Sequence, residues 1–235
     1  MDLDNETSHI LRLDGREVAL DVRRSGRARR ITLNVDPASG AVKLVLPRRT
    51  ALEEGLAFAR DKRRWIDTRL KALPPRIAFT EGAVVPVLGV PHVIGHEPAA
   101  RRGVWRQDGT IRVSGRREHL ARRVEDFLRR EAGAELSDRA HAKAESIGHK
   151  IERITLRDPK SRWGSCSSSG RLNFSWRLIL APEAVLDYVV AHEVAHLEHM
   201  NHGPRFWALV AELTPEVGRP RRWLRAQGNS LLRYG

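Results

Sequence analysis

Two histidines and a glutamate sit in the middle of an apolar helical run, and no other segment narrows the possible fold so far. Val185, Val189, Val190, Val194 and Leu197 recur at helical spacing around His192-Glu193-Val194-Ala195-His196. A helix this apolar belongs in a core, where an unpaired imidazole or carboxylate costs free energy. Residues four apart lie one above the other, so both imidazoles can reach one cation at ~2.0 Å. Glu193 points along the same edge, where a carboxylate can take a proton from a metal-activated water. A core helix with merely hydrogen-bonded histidines would have three polar groups to satisfy in one apolar stretch.

A hydrolytic metal site needs a third protein ligand and an open position. His199, His202, Glu212 and Glu216 are the candidates. His199 lies seven residues beyond His192, about 10 Å along a straight helix, too far for one ion. His202 follows Asn201 and precedes Gly203-Pro204, where the helix should end and the chain reverse toward the metal. Glu216 has the spacing of a downstream acidic ligand, but Pro215 before it suggests a break. His202 is the leading candidate, with the two acids and His199 as alternatives.

The strand before this helix is written in alternation. Leu172, Phe174, Trp176, Leu178 and Leu180 share one face, and Arg171, Asn173, Ser175 and Arg177 the other. Ala181-Pro182-Glu183 then opens the helix with proline in its first turn. Upstream, Arg162-Trp163-Gly164-Ser165-Cys166 and the serines after it form a small-residue run. Its backbone can approach a substrate closely, and Arg162 can hold an anion. Arg162, Trp163, Ser165 and Asn173 are therefore the expected substrate-binding residues.

In the N-terminal half, Ile31–Val35 and Val42–Leu46 alternate around Asp36-Pro37-Ala38-Ser39-Gly40, which predicts a hairpin. Thr50 and Glu53 form a capping box opening a helix to about Leu73, stopped by Pro74-Pro75. Short Val/Ile runs over 84–113 predict small strands. Apolar spacing from Arg116 to Ile147 predicts helix, with Gly133 a possible break, and Ile151–Leu156 reads as a strand.

Arg162–Cys166, the strand over 173–180, and the run H-E-V-A-H-L-E-H-M-N-H-G-P-R-F-W from His192 to Trp207 together resemble the YgjP-like metallopeptidase family. Those proteins are similar to the SprT-like and Spartan proteases. The likeness covers about residues 150–210, and the basic N-terminal half also looks like that family. It implies one zinc ion at His192, His196 and His202, with Glu193 as catalytic base. It also implies an α+β fold, a zincin-like core preceded by a β-rich N-terminal region. The spacing from His196 to His202 equals that of metzincins, but His199 replaces their glycine and no Met-turn follows, which rules that group out.

The expected division is 1–115, a β-rich region with one long helix, and 116–235, the catalytic domain. With 41% hydrophobic and 30% charged residues the chain is not a disordered one. Cys166 is the single cysteine, so no intrachain disulfide forms, and a reducing cytoplasm is the expected compartment. A packed thiol is its expected role. Met1–Glu6 is acidic and lacks the order of a signal peptide, and no run suits a membrane span. The oligomeric state is not legible.

The net charge of +13 points to an anionic partner. Its clusters include Arg23-Arg24 with Arg27, Arg29 and Arg30, then Lys62-Arg63-Arg64-Trp65, Arg122-Arg123, and Arg219 with Arg221-Arg222-Trp223. Several have an aromatic residue nearby, as in weak nucleic-acid association. Phe206 and Trp207 read as core. Three functions follow in order: a zinc metallopeptidase; a nucleoside triphosphate pyrophosphatase, a label some relatives carry; and a non-catalytic, zinc-stabilised nucleic-acid binder. Glu193 speaks against the last, since a structural site needs a fourth protein ligand and no base.

Overall fold

Alternation and turn chemistry shape the first part of the chain. The computed structural model describes residues 7–13 and 15–235, so the acidic start Met1–Glu6 lies outside the described residues. These residues divide into two compact units, one ending at Pro75 and one spanning Arg76–Gly235.

In the first unit, β1 (Thr7–Leu13), β2 (Arg16–Ser25), β3 (Thr32–Val35) and β4 (Val42–Pro47) form one sheet in the order β1-β2-β4-β3. The β3–β4 pair is the expected antiparallel hairpin. Its loop is held by Asp36 Oδ1, which accepts the amide of Ala38 at 2.9 Å, and closes at Gly40 with φ +78°. Leu44 and Leu46 on β4 and Leu20 and Val22 on β2 are buried with Ala59 and Ile66.

The expected single helix over 50–73 is instead two, α1 (Leu52–Asp61) and α2 (Arg63–Lys71), broken at Lys62. Thr50 does not cap α1. Ala51 stands at the cap with no side-chain bond, while the Thr50 carbonyl accepts Arg24 at 2.7 Å. The break lets Gly55 and Ala59 on α1, and Ile66 and Asp67 on α2, each bury their own face.

The second unit opens with β5 (Val84–Val87), β6 (Val90–Glu97), β7 (Val104–Gln107) and β8 (Thr110–Ser114), in the order β5-β6-β8-β7. The boundary expected at 115/116 falls inside this unit. Val85, Val87, Ile94, Ile111 and Val113 share one core with the helix that follows. That helix, α3 (Leu120–Ser146), is continuous through Gly133. A mid-helix glycine costs roughly 1 kcal/mol against alanine, which the buried stripe Val124, Leu128, Leu136 and Ala140 outweighs.

A second sheet has the order β10-β11-β9, built from β9 (Arg153–Arg157), β10 (Gly164–Cys166) and β11 (Arg171–Ser175). The strand expected over 172–180 ends at Ser175, where its parallel partner β9 also ends, and a 3-10 helix over Trp176–Leu180 follows. Leu178, Ile179 and Leu180 are all buried in succession, which an alternating strand cannot do. Then come α4 (Glu183–Ala195), α5 (Pro204–Leu213) and α6 (Gly218–Leu231), with Pro182 at the cap of α4 rather than in its first turn. The chain is of the α+β class. Among the described residues no helix is long and apolar enough to cross a membrane.

Candidate metal centre

The apolar flanks of α4 seat it in the core, and polar bonds fix its pitch. Asp187 accepts the Thr214 hydroxyl at 2.7 Å and pairs with Lys143 Nζ at 3.0 Å, tying α4 to α3 and to the end of α5. Arg139 on α3 adds a bond to Glu183 at 2.8 Å. His192 and His196 thus stand on a helix locked at both sides.

After α4 the chain turns at once. Gly203 caps α5 and Pro204 occupies its first turn, the preferred start for a helix. This reversal returns His202, whose Nε2 lies 3.1 Å from Nε2 of His192. The three imidazoles form a near-equilateral set, with ring centroids 5.1, 5.0 and 4.7 Å apart. One ligand atom from each of His192, His196 and His202 lies within 4.8 Å of the other two. Among the described residues His199, Glu212 and Glu216 belong to no such group.

The donor set fits a tetrahedral cation. Metal–nitrogen bonds of ~2.0–2.1 Å put neighbouring donors about 3.4 Å apart, close to the His192–His202 separation. The Nδ1 of His196 faces the His199 carbonyl at 3.0 Å, which fixes its tautomer and leaves Nε2 as the lone-pair donor. Nδ1 of His192 is buried and has no hydrogen-bond partner. Burial, then the neighbouring His196 and His202, pushes His192 down to about 4, and burial lowers His196 as well. Both rings are therefore neutral, as metal ligation requires.

Phe206, wholly buried, packs 5.0, 4.5 and 4.7 Å from the rings of His192, His196 and His202. Trp207 lies 5.8 Å from both His192 and His202. Of the pair expected in the core, Phe206 is buried there and Trp207 is half-buried against it, and both wall the triad.

Glu193 is only 6% exposed, and burial pushes its carboxyl up to about 7, against the opposing pull of Arg162. Its neighbour is Gly164 on β10, so close that a Cβ there would lie 2.6 Å from Oε1. Arg162, Trp163, Ser165 and Asn173 line one open cleft of about 530 Å³ that also includes Gly164. Asn173 donates to the Ser165 hydroxyl at 3.3 Å across β10 and β11. Cys166 stays a thiol, pushed up to about 11 by burial and by Glu193, with its Sγ 3.3 Å from the Ser167 carbonyl.

A family model, "YgjP-like, metallopeptidase domain", matches residues 29–227. The chain belongs to the YgjP-like family. No match was found among curated proteins, nor among solved structures. A YgjP-like metallopeptidase domain implies a metal ion, and His192, His196 and His202 are the residues that could hold one. The match reaches well beyond the site, into both compact units.

Tyr188, and the contact of Gly164 with Glu193, were not foreseen from the sequence. Tyr188 stands one turn before His192, its ring 6.1 Å from the imidazole. Its i−4 position was the available signal. The small-residue run around Gly164 signalled a close approach, but not its partner Glu193, which depends on a strand meeting a distant helix.

Proposed function

We propose that this protein is a zinc-dependent metallopeptidase in which Glu193 is the general base and His192, His196 and His202 hold one zinc ion. The observation that carries the reading is the convergence of three imidazoles beside the buried carboxylate of Glu193, which burial pushes up to about 7. A base is most effective when its pKa lies near the operating pH. Three nitrogen donors suit zinc and leave a fourth position open. When bound, the ion supplies Lewis acidity toward water and a substrate carbonyl.

The chain's own groups do the rest. Glu193 accepts a proton from the attacking water as its oxygen bonds to the carbonyl carbon. It then delivers that proton to the amine nitrogen as the C–N bond breaks. The outer edge of β10 has no strand partner among the described residues and suits an extended peptide, which can add as a strand. Such a peptide would run past Gly164 and so past Glu193. The Nδ1–H of His196 holds its ring in one tautomer.

The competing reading is a nucleoside triphosphate pyrophosphatase, favoured by Arg157 and Arg162 in the cleft. Zinc-loaded protein incubated with casein peptides and with a nucleoside triphosphate panel, read by mass spectrometry, separates the two. Peptide cleavage that Glu193→Gln lowers by ~10²–10⁴-fold, with zinc retained, is the expected result. Triphosphate hydrolysis without peptide cleavage would replace the peptidase reading.

A further inference from the structure

Helix α6 carries Arg221, Arg225 and Gly228 at i, i+4 and i+7, so the three share one stripe about 10 Å long. Both ends of that stripe have known neighbours. At one end the Arg221 guanidinium lies 4.9 Å over the ring of Trp207, and Trp207 is itself 5.8 Å from the rings of His192 and His202. At the other, Gly228 is so close to Trp163 that a Cβ would lie 3.1 Å from its ring. Trp163 leads directly into Gly164, which abuts Glu193. The stripe therefore spans from the histidine triad to the start of β10, with Arg225 between its ends.

Charge along this span is unbalanced. Arg221, Arg225 and Arg162 have no carboxylate within ion-pair distance among the described residues. By contrast Arg129, Arg139, Arg171 and Arg177 in the same unit all have one. Three exposed guanidinium groups without an ion pair among the described residues thus border the place where a substrate must lie. Like charges at i, i+4 on a helix repel, and a carboxylate placed between them relieves that repulsion. Tyr188, facing the same space, feels both Arg221 and Arg225.

We propose that Arg221 and Arg225 of α6, with Arg162 before β10, make this site selective for peptides carrying Asp or Glu side chains beside the scissile bond. The proposal rests on the peptidase reading and adds its substrate class. A peptide lying along β10 has its side chains within reach of the α6 stripe, where guanidinium groups bind carboxylates in bidentate fashion. Peptides with Lys or Arg there meet like charge.

The test uses the zinc-loaded full chain and a proteome-derived peptide library, with cleavage sites read by mass spectrometry. Sites flanked by Asp or Glu should be enriched. On matched peptides, exchanging the acid for its amide should lower kcat/KM roughly fivefold, as exposed ion pairs allow. The double change Arg221→Glu with Arg225→Glu should turn the preference toward Lys. Arg225→Glu alone leaves the Trp207 stack in place and should weaken the preference if the double variant does not fold. Binding is read separately, as anisotropy of a fluorescein-labelled Glu-rich decapeptide on Glu193→Gln protein. It should weaken in Arg225→Gln and as salt rises from about 50 to 200 mM. Equal cleavage of acidic and amide peptides overturns the selectivity and leaves the peptidase reading standing. Cleavage of no peptide overturns both.

Discussion

Gly164 on β10 and Glu193 on α4 touch so closely that an added methyl would sit 2.6 Å from both Cγ and Oε1 of the glutamate. Gly164 is fixed by its pairing with Phe174, so the strand cannot simply move away. The glutamate must give instead. If Glu193 is the base, as proposed, Gly164→Ala should bind zinc as the unaltered chain does yet lower kcat/KM by about 10²-fold, the cost of displacing a reacting group by ~1 Å. Zinc content by mass spectrometry alongside peptide turnover checks it, and unchanged turnover would show that Glu193 tolerates the shift.

The return of His202 beside His192, with ring nitrogens 3.1 Å apart, makes it the third ligand in our reading. His202→Ala should lose most of its bound zinc, whereas Glu216→Ala and Glu212→Ala should keep it. Equilibrium dialysis against zinc gives the stoichiometry. Retention by His202→Ala, with loss in either glutamate variant, would reassign the ligand.

Two buried groups give the metal-free protein opposite pH dependences. Burial raises Glu193 from 4.5 to about 7, so its contribution is fully present below 4.5 and lost as pH rises through 7. Burial lowers His192 from 6.5 to about 4, so its contribution is present above 6.5 and lost as pH falls through 4. In chelator-treated protein, Glu193→Gln should raise Tm at pH 8, by the equivalent of roughly 3 kcal/mol, and by little at pH 5. Scanning calorimetry of both proteins across pH 4–9 measures this. A gap independent of pH would mean that the Glu193 carboxyl is not shifted on folding.

Phe206 packs against all three imidazoles and is wholly buried. Phe206→Ala should cost about 3–5 kcal/mol of stability in urea denaturation and weaken zinc binding as the rings lose their wall. Phe206→Leu, which keeps most of the volume, should lose less than half as much. A zinc affinity unchanged in Phe206→Ala would show that α4 and the Asp187 bonds alone hold the rings.

The amino-acid order by itself determined what depends on neighbours a few residues apart. His192, Glu193 and His196 on one helix edge follow from the 3.6-residue turn, and the Asp36–Gly40 hairpin follows from turn chemistry. That the chain would turn back and return His202 was legible, but not where the helix would end: α4 stops at Ala195, ahead of the expected Asn201–Gly203, and Gly203-Pro204 start α5. Where local signals gave no unique answer, packing chose. Alternation over 172–180 did not reveal the end of the strand at Ser175, because its length depends on the partner β9. Nor did Gly133 reveal whether α3 would break, because its cost is set against a buried stripe on distant elements. Only the tertiary structure decided that Gly164 would make room for Glu193, that Phe206 would wall the triad, and that Arg221 of α6 would stack on Trp207 beside it. Each is a meeting of separate elements, whose contacts come from the burial of a shared core and not from the spacing of residues along one of them.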